Sequence, residues 1–169
     1  LENAAAKISF DLKDEHETLS LGAGLAEIFM RLDKYPAVLF SGPLGAGKTT
    51  MIRGIVGALP GGGDAAVSSP SFNILNIYPT TPEAAHFDLY RLEGLGLDPE
   101  SEEILLNEKM LVLVEWSEFL PRDLRPENSV QVNLLVRDSG RRAEFIIEDK
   151  FIKDMINTQE LNPPRLYAG

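Results

Sequence analysis

Residues 42–49 read Gly42-Pro43-Leu44-Gly45-Ala46-Gly47-Lys48-Thr49, an unbroken match to the phosphate-binding pattern GxxxxGK[ST]. The chemistry of that spacing is local. Glycines let successive backbone N–H groups turn inward as a nest for phosphate oxygens, the lysine ammonium adds a point charge, and the threonine hydroxyl suits Mg²⁺. A helix opening at the lysine brings the positive end of its dipole to the same place. The flanks agree with this. Ala37, Val38, Leu39 and Phe40 precede the loop as a buried strand, and Met51, Ile52, Ile55 and Val56 follow at helical spacing.

Outward from this loop the chain alternates strands and helices. Lys7 to Leu12 alternates as a half-buried strand, and Asp14 with Glu17 starts a helix in capping-box fashion, with apolar residues from Leu21 to Leu32 on one face. After the helix that ends near Ala58, residues 60–64 (Pro-Gly-Gly-Gly-Asp) read as a mobile loop beside the nucleotide site. Phe72–Tyr78 and Ala84–Leu89 form an expected hairpin about Pro79 to Pro82. Turn-forming Gly94, Gly96 and Pro99 lead to a short helix over Ser101–Lys109, then to the buried run Met110–Val114. Ser129–Val136 and Arg142–Glu148 flank a second hairpin turn, and Phe151–Thr158 reads as a last helix. The expected fold is α/β, a three-layer domain whose mixed parallel and antiparallel central sheet is flanked by helices and binds ligand at the strands' carboxyl ends.

Composition narrows the function classes. With 169 residues, 44% of them hydrophobic, the chain reads as one domain with a real core. It has no cysteine, which excludes disulfides and thiolate metal sites. No apolar run approaches the roughly 18 residues of a membrane span, and no basic-then-apolar leader opens the chain, so a cytoplasmic protein without membrane attachment is expected. The formal charge of −10 weighs against a direct grip on nucleic acid. Two basic pairs, Arg122 with Arg125 and Arg141 with Arg142, are either solvated surface or contacts for phosphate or a protein partner.

Two further segments carry chemistry. Glu115 ends the run Leu111 to Val114, as a Walker B acid does when a buried strand carries it to the sheet edge for Mg²⁺; the plainer alternative is an acid opening a turn. In His86-Phe87-Asp88-Leu89-Tyr90-Arg91, strand spacing puts His86, Asp88 and Tyr90 on one face. Asp88 there is either part of a hydrogen-bonded strand end or the group that orients a water near the γ phosphate. Trp116, the single tryptophan, suits packing more than base stacking.

The segments GPLGAGKTT (42–50), SSPSFNILNIY (68–78), HFDLYRL (86–92) and VEWSE (114–118), in that order, closely resemble the TsaE family, small bacterial ATPases of tRNA threonylcarbamoyladenosine synthesis. The last three are distinctive of that family, whereas the phosphate loop is shared with a great many NTPases. The resemblance spans residues 8–148. It implies a P-loop ATPase domain over 7–158, between a disordered or appended leader at 1–6 and a tail at 159–169, which binds ATP or ADP with Mg²⁺ and hydrolyses ATP slowly. It implies two protein partners, TsaB and TsaD, that transfer threonylcarbamoyl to adenosine 37 of tRNA, so that tRNA is met only indirectly. By the same likeness Gly42, Gly45, Ala46, Gly47, Lys48, Thr49 and Thr50 hold the phosphates, Thr49 and Glu115 serve the metal, and Asp88, Glu115 and Lys48 are catalytic. Ser68 to Phe72 resembles a switch that answers the γ phosphate, and Glu15 with Thr18 approaches the adenine. Departures are Ser68 and Ser71 where the family commonly has lysine and threonine, the longer loop at Gly61–Asp64, and the stretch from Arg91 to Met110. The alternative reading is a small-molecule or nucleoside kinase, which needs an arginine-rich lid that does not stand out here. A third is a non-catalytic adaptor. No NKxD-like guanine-reading segment occurs, which favours ATP over GTP.

Overall fold

The computed structural model describes residues 6–92 and 95–157. The expectations for 1–5, for the turn at Gly94, for Thr158 and for the tail at 159–169 lie outside these described residues. Seven strands form one sheet: β1 (Ala6–Leu12), β2 (Ala37–Ser41), β3 (Leu75–Tyr78), β4 (Ala84–Asp88), β5 (Leu111–Glu115), β6 (Ser129–Val136) and β7 (Arg141–Ile147). Their order is β1-β7-β6-β2-β5-β4-β3. The pairs β6/β2, β2/β5 and β5/β4 are parallel. The pairs β1/β7, β7/β6 and β4/β3 are antiparallel. Mixed direction is thus resolved into a parallel centre with an antiparallel flank on each side.

Alternation along the central strands sorts two cores. Val38, Phe40, Leu111, Leu113, Val130 and Val132 face α1 (Glu15–Phe29), α2 (Lys48–Ala58) and α4 (Lys150–Asn157), through Leu21, Leu25, Met51, Ile55, Ile152 and Ile156. Leu39, Val112, Val114 and Phe87 face the other way, where α3 (Pro99–Leu105) and two short 3-10 turns supply Leu105 and Leu120. The helical layer on this second face is thin.

α1 and α2 cross at glycines. A Cβ on Gly22 would lie 2.3 Å from the Met51 carbonyl oxygen, and one on Gly54 would lie 2.3 Å from that of Leu19. Only glycine lets the two backbones meet this closely. The contact fixes α2, whose first residue is the loop lysine, against a helix anchored by its own cap. Asp14 accepts from the Glu17 N–H at 2.9 Å, and Glu17 accepts from the Lys13 N–H at 2.7 Å. The reciprocal bond therefore falls one residue ahead of the cap.

Four expectations need correction. Residues 60–64 are irregular but do not border the nucleotide site: the Thr81 N–H donates to the Pro60 carbonyl at 3.0 Å, at the turn that opens β4, whereas ligands bind at that strand's other end. Phe72 is not in a strand. It is 84% exposed in a turn, and Ile74 with φ = 66° blocks pairing until Leu75. Helix α1 ends at Phe29, and Leu32 is reached by two tighter turns, Arg31 N–H to Ile28 and Leu32 N–H to Phe29. Helix α3 covers Pro99–Leu105 rather than Ser101–Lys109, because Asp98 caps it early and Asn107 closes a turn onto Met110.

Candidate functional site

Strand register assembles the site. Phe40 at the end of β2 pairs with Glu115 at the end of β5, and Glu115 pairs with Asp88 at the end of β4. Three consecutive strands thus deliver the phosphate loop, Glu115 and Asp88 to one edge. They meet around a cavity of about 410 Å³ whose walls include Gly45, Ala46, Gly47, Lys48, Thr49, Thr50, Asp88 and Glu115.

The loop has the backbone its sequence calls for. Gly42 takes φ = 137° and its Cβ position falls 2.3 Å from the Leu134 carbonyl oxygen on β6, so no larger residue fits there. Ala46 is buried, and Gly47 is the N-cap of α2. Lys48 is buried and donates to the carbonyls of Gly42 at 2.7 Å and Pro43 at 3.0 Å. Burial pulls its pKa below the usual 10.5, a drop opposed by Glu115, Glu118 and Asp88.

At the two residues expected to serve a metal, Thr49 Oγ1 lies 2.8 Å from Glu115 Oε1 and 3.1 Å from Oε2. A hydroxyl against a carboxylate, with phosphate and water oxygens to complete the shell, is the hard donor set Mg²⁺ takes. No cluster of three or more His, Asp or Glu side chains suited to a metal occurs among the described residues. Asp88 is held from two sides: the Ser69 hydroxyl donates to Oδ2, and the Tyr90 N–H donates to Oδ1 at 2.9 Å. The shared strand face of His86, Asp88 and Tyr90 stops at Asp88. His86 and Asp88 are buried, while Tyr90 is 52% exposed beyond the strand.

Glu15 stands apart from this cavity. It begins α1, pairs with Arg53 at 3.2 Å, and lines a second, smaller cavity of about 190 Å³ with Asp14, Thr18, Gly45, Gly47, Thr50 and Arg141. The two cavities share the loop between them.

Trp116 is neither a plain core anchor nor a free platform. Its φ of 56° is rare for a bulky residue, and the left-handed turn swings the indole back so that Lys48 Nζ sits 3.8 Å from the ring centroid. Tyr90 packs on the same ring at 4.8 Å. Three contacts were not legible in the sequence. Ser69 holds Asp88, His86 Nε2 lies 2.8 Å from Glu115 Oε1, and Arg141 donates to the Gly45 carbonyl at 3.1 Å. The basic pair 141–142 splits, since Arg142 instead forks onto Asp11 at 2.7 and 2.9 Å. The hairpin turn before Arg141 was the available signal, but only the strand order brings β7 near the phosphate loop.

Comparison with known proteins agrees with this geometry. The family model "Threonylcarbamoyl adenosine biosynthesis protein TsaE" matches residues 12–143. The tRNA threonylcarbamoyladenosine biosynthesis protein TsaE of Haemophilus influenzae is 33% identical over 154 residues, covering 86% of this chain and 93% of that one. Its namesake in Streptomyces coelicolor is 41% identical over 133 residues, covering 75% and 85%. Among solved structures, Bacillus subtilis YdiB superposes with a TM-score of 0.67 at 21% identity, covering 94% of this chain and 95% of the other, which supports the P-loop NTPase-like α/β fold. The chain belongs to the TsaE family of tRNA threonylcarbamoyladenosine biosynthesis proteins.

Proposed function

We propose that the protein is a Mg²⁺-dependent, ATP-binding protein of the cytoplasm with slow ATPase activity, required with TsaB and TsaD for threonylcarbamoyl transfer to adenosine 37 of tRNA. The observation that carries this reading is the convergence of Lys48, Thr49, Asp88 and Glu115 on one cavity beneath a phosphate-binding loop. Gly42, Gly45, Ala46, Gly47 and Thr50 cradle the phosphates through backbone N–H groups at the start of α2. Lys48 exchanges its bonds to the Gly42 and Pro43 carbonyls for phosphate oxygens, and its distance from Trp116 changes as it does so. Thr49 and Glu115 would hold Mg²⁺, which when bound would neutralise phosphate charge. Asp88, steadied by Ser69 and the Tyr90 N–H, orients the attacking water. Slow turnover is expected because no arginine finger is evident: Arg141 donates to the Gly45 carbonyl, and Arg91 in the cavity wall lies over the Phe72 ring.

The chain's −10 charge fits a protein that meets tRNA only through partners. ATP and ADP would bias segment 68–72, which touches Asp88 through Ser69, and a partner would bind one state better than the other. The test is retention of the chain by TsaB and TsaD together under ATP, ADP or no nucleotide, alongside phosphate release from ATP alone. Retention that ignores nucleotide overturns the switch, and transfer of phosphate to a nucleoside in place of release favours the kinase alternative.

A further inference from the structure

The imidazole of His86 is wholly buried, yet both ring nitrogens are engaged. Nε2 lies 2.8 Å from Glu115 Oε1, and Nδ1 lies 3.3 Å from the Tyr78 hydroxyl. An ionised carboxylate only accepts, so Nε2 carries the hydrogen in the bond to Glu115. The same oxygen is 2.8 Å from the Thr49 hydroxyl. Beyond the ring, Tyr78 Oη is 3.5 Å from the Ser68 carbonyl oxygen, at the start of segment 68–72. Thr49 and His86 thus both donate to Glu115, and the one hydroxyl hydrogen of Tyr78 goes to Nδ1 and not to the Ser68 carbonyl.

Sheet register explains why only this histidine can make both ring contacts. Asn76 on β3 pairs with His86 on β4, which pairs with Leu113 on β5. Tyr78 and Glu115 each lie two positions from those partners, hence diagonal to His86 on the same face of the sheet, within reach of a long side chain. The neighbouring Asp88 reaches segment 68–72 through Ser69. Strand β4 therefore reaches 68–72 directly through Asp88, while His86 serves Glu115.

We propose that His86 is a positioning residue for the metal side of the site: its Nε2–H fixes the Glu115 carboxylate against Thr49, and the Tyr78 hydroxyl, donating to Nδ1, holds the ring in that orientation. The proposal rests on the reading of Thr49 and Glu115 as the Mg²⁺ side. Partners that orient a metal-binding carboxylate from behind typically account for about 10–100-fold in metal affinity.

The test is Mn²⁺ binding in the presence of ADP, followed by electron paramagnetic resonance, for wild type, His86→Leu and His86→Gln. Leucine fills the space without a donor, while glutamine restores an N–H near Nε2. His86→Leu is expected to weaken Mn²⁺ binding about 10–100-fold with ADP affinity in EDTA unchanged, and His86→Gln to recover most of the loss. Wild-type Mn²⁺ affinity in His86→Leu, or an equal loss of ADP affinity in EDTA, overturns the positioning role. Should His86→Leu fail to fold, NMR on the wild type decides: the His86 Nε2–H resonance shifts when Mg²⁺ joins the ADP complex, and an unmoved resonance overturns the proposal. Wild type that binds ADP but no Mn²⁺ overturns the metal-side reading itself, and the proposal with it.

Discussion

Substituting alanine at two glycines of one helix, three residues apart, should change stability in opposite directions. At Gly54 a Cβ would sit 2.3 Å from the Leu19 carbonyl oxygen and 3.0 Å from two further Leu19 backbone atoms, where ordinary contact begins at 3.4 Å. These are backbone atoms, so no rotamer relieves the clash, and α1 and α2 must separate by about 1 Å. Overpacking of that kind costs about 1–3 kcal/mol, against which alanine's better helix propensity returns about 1 kcal/mol. At Gly57 nothing lies within 4 Å of the added Cβ. Only the propensity gain acts there, about 0.5–1 kcal/mol in favour of the folded state. For a domain of this size each kcal/mol moves the melting temperature by about 2–4 °C. Gly54→Ala should therefore melt below wild type, by up to about 8 °C, and Gly57→Ala a degree or more above it, in thermal denaturation followed by circular dichroism. Because α2 begins at Lys48, Gly54→Ala should also weaken ATP binding. Equal melting temperatures for the two variants would refute the close-crossing argument.

Removing the ammonium with Lys48→Ala deletes charge-assisted bonds worth about 1.5–3 kcal/mol, so calorimetry should read a fall of about 10–100-fold in ATP affinity. Asp88→Asn should bind ATP as wild type does while phosphate release drops at least about 10²-fold; a lost affinity instead makes Asp88 structural. Arg141→Ala should weaken ATP binding about five- to tenfold, the worth of one bond to the Gly45 carbonyl, whereas Arg142→Ala should leave it unchanged. The latter acts on Asp11, whose pKa the Arg142 guanidinium holds below 3.8. A carboxylate with a lowered folded pKa stabilises above its unfolded value and loses that stabilisation as pH falls through the folded one. Arg142→Ala should return Asp11 toward 3.8 in an NMR titration, and its stability deficit should fade in strong acid.

What the sequence made legible is what local chemistry controls. β2 and α2 run over Ala37–Ser41 and Lys48–Ala58 because the loop between them dictates both ends, and Ser129–Val136 was readable as one arm of a hairpin about Asp138, Ser139 and Gly140. The buried run before Glu115 gave its strand by composition alone. Phe72 misled because strand-like composition continued through a turn that Ile74 breaks by taking a left-handed conformation. Arg141 and His86 stood out in the sequence, but their contacts were not legible, since these depend on which strands are neighbours. The hairpin put β7 beside β6, but β6 lies beside β2, a neighbour no spacing in the chain reveals. The loop at 60–64 was placed at the wrong end of the sheet for a related reason: it is close to the phosphate loop along the chain, but the length of α2 separates them in space.

The single tryptophan tests the central claim directly. Trp116 lies 3.8 Å from the ammonium of Lys48, so a ligand that draws this charge toward phosphate oxygens must alter the indole's surroundings. Titrating the protein with ATP and Mg²⁺ while following tryptophan emission should give a saturable change that Lys48→Ala abolishes. Unchanged emission in wild type at ATP concentrations where calorimetry records binding would contradict the account, as would an undiminished change in Lys48→Ala.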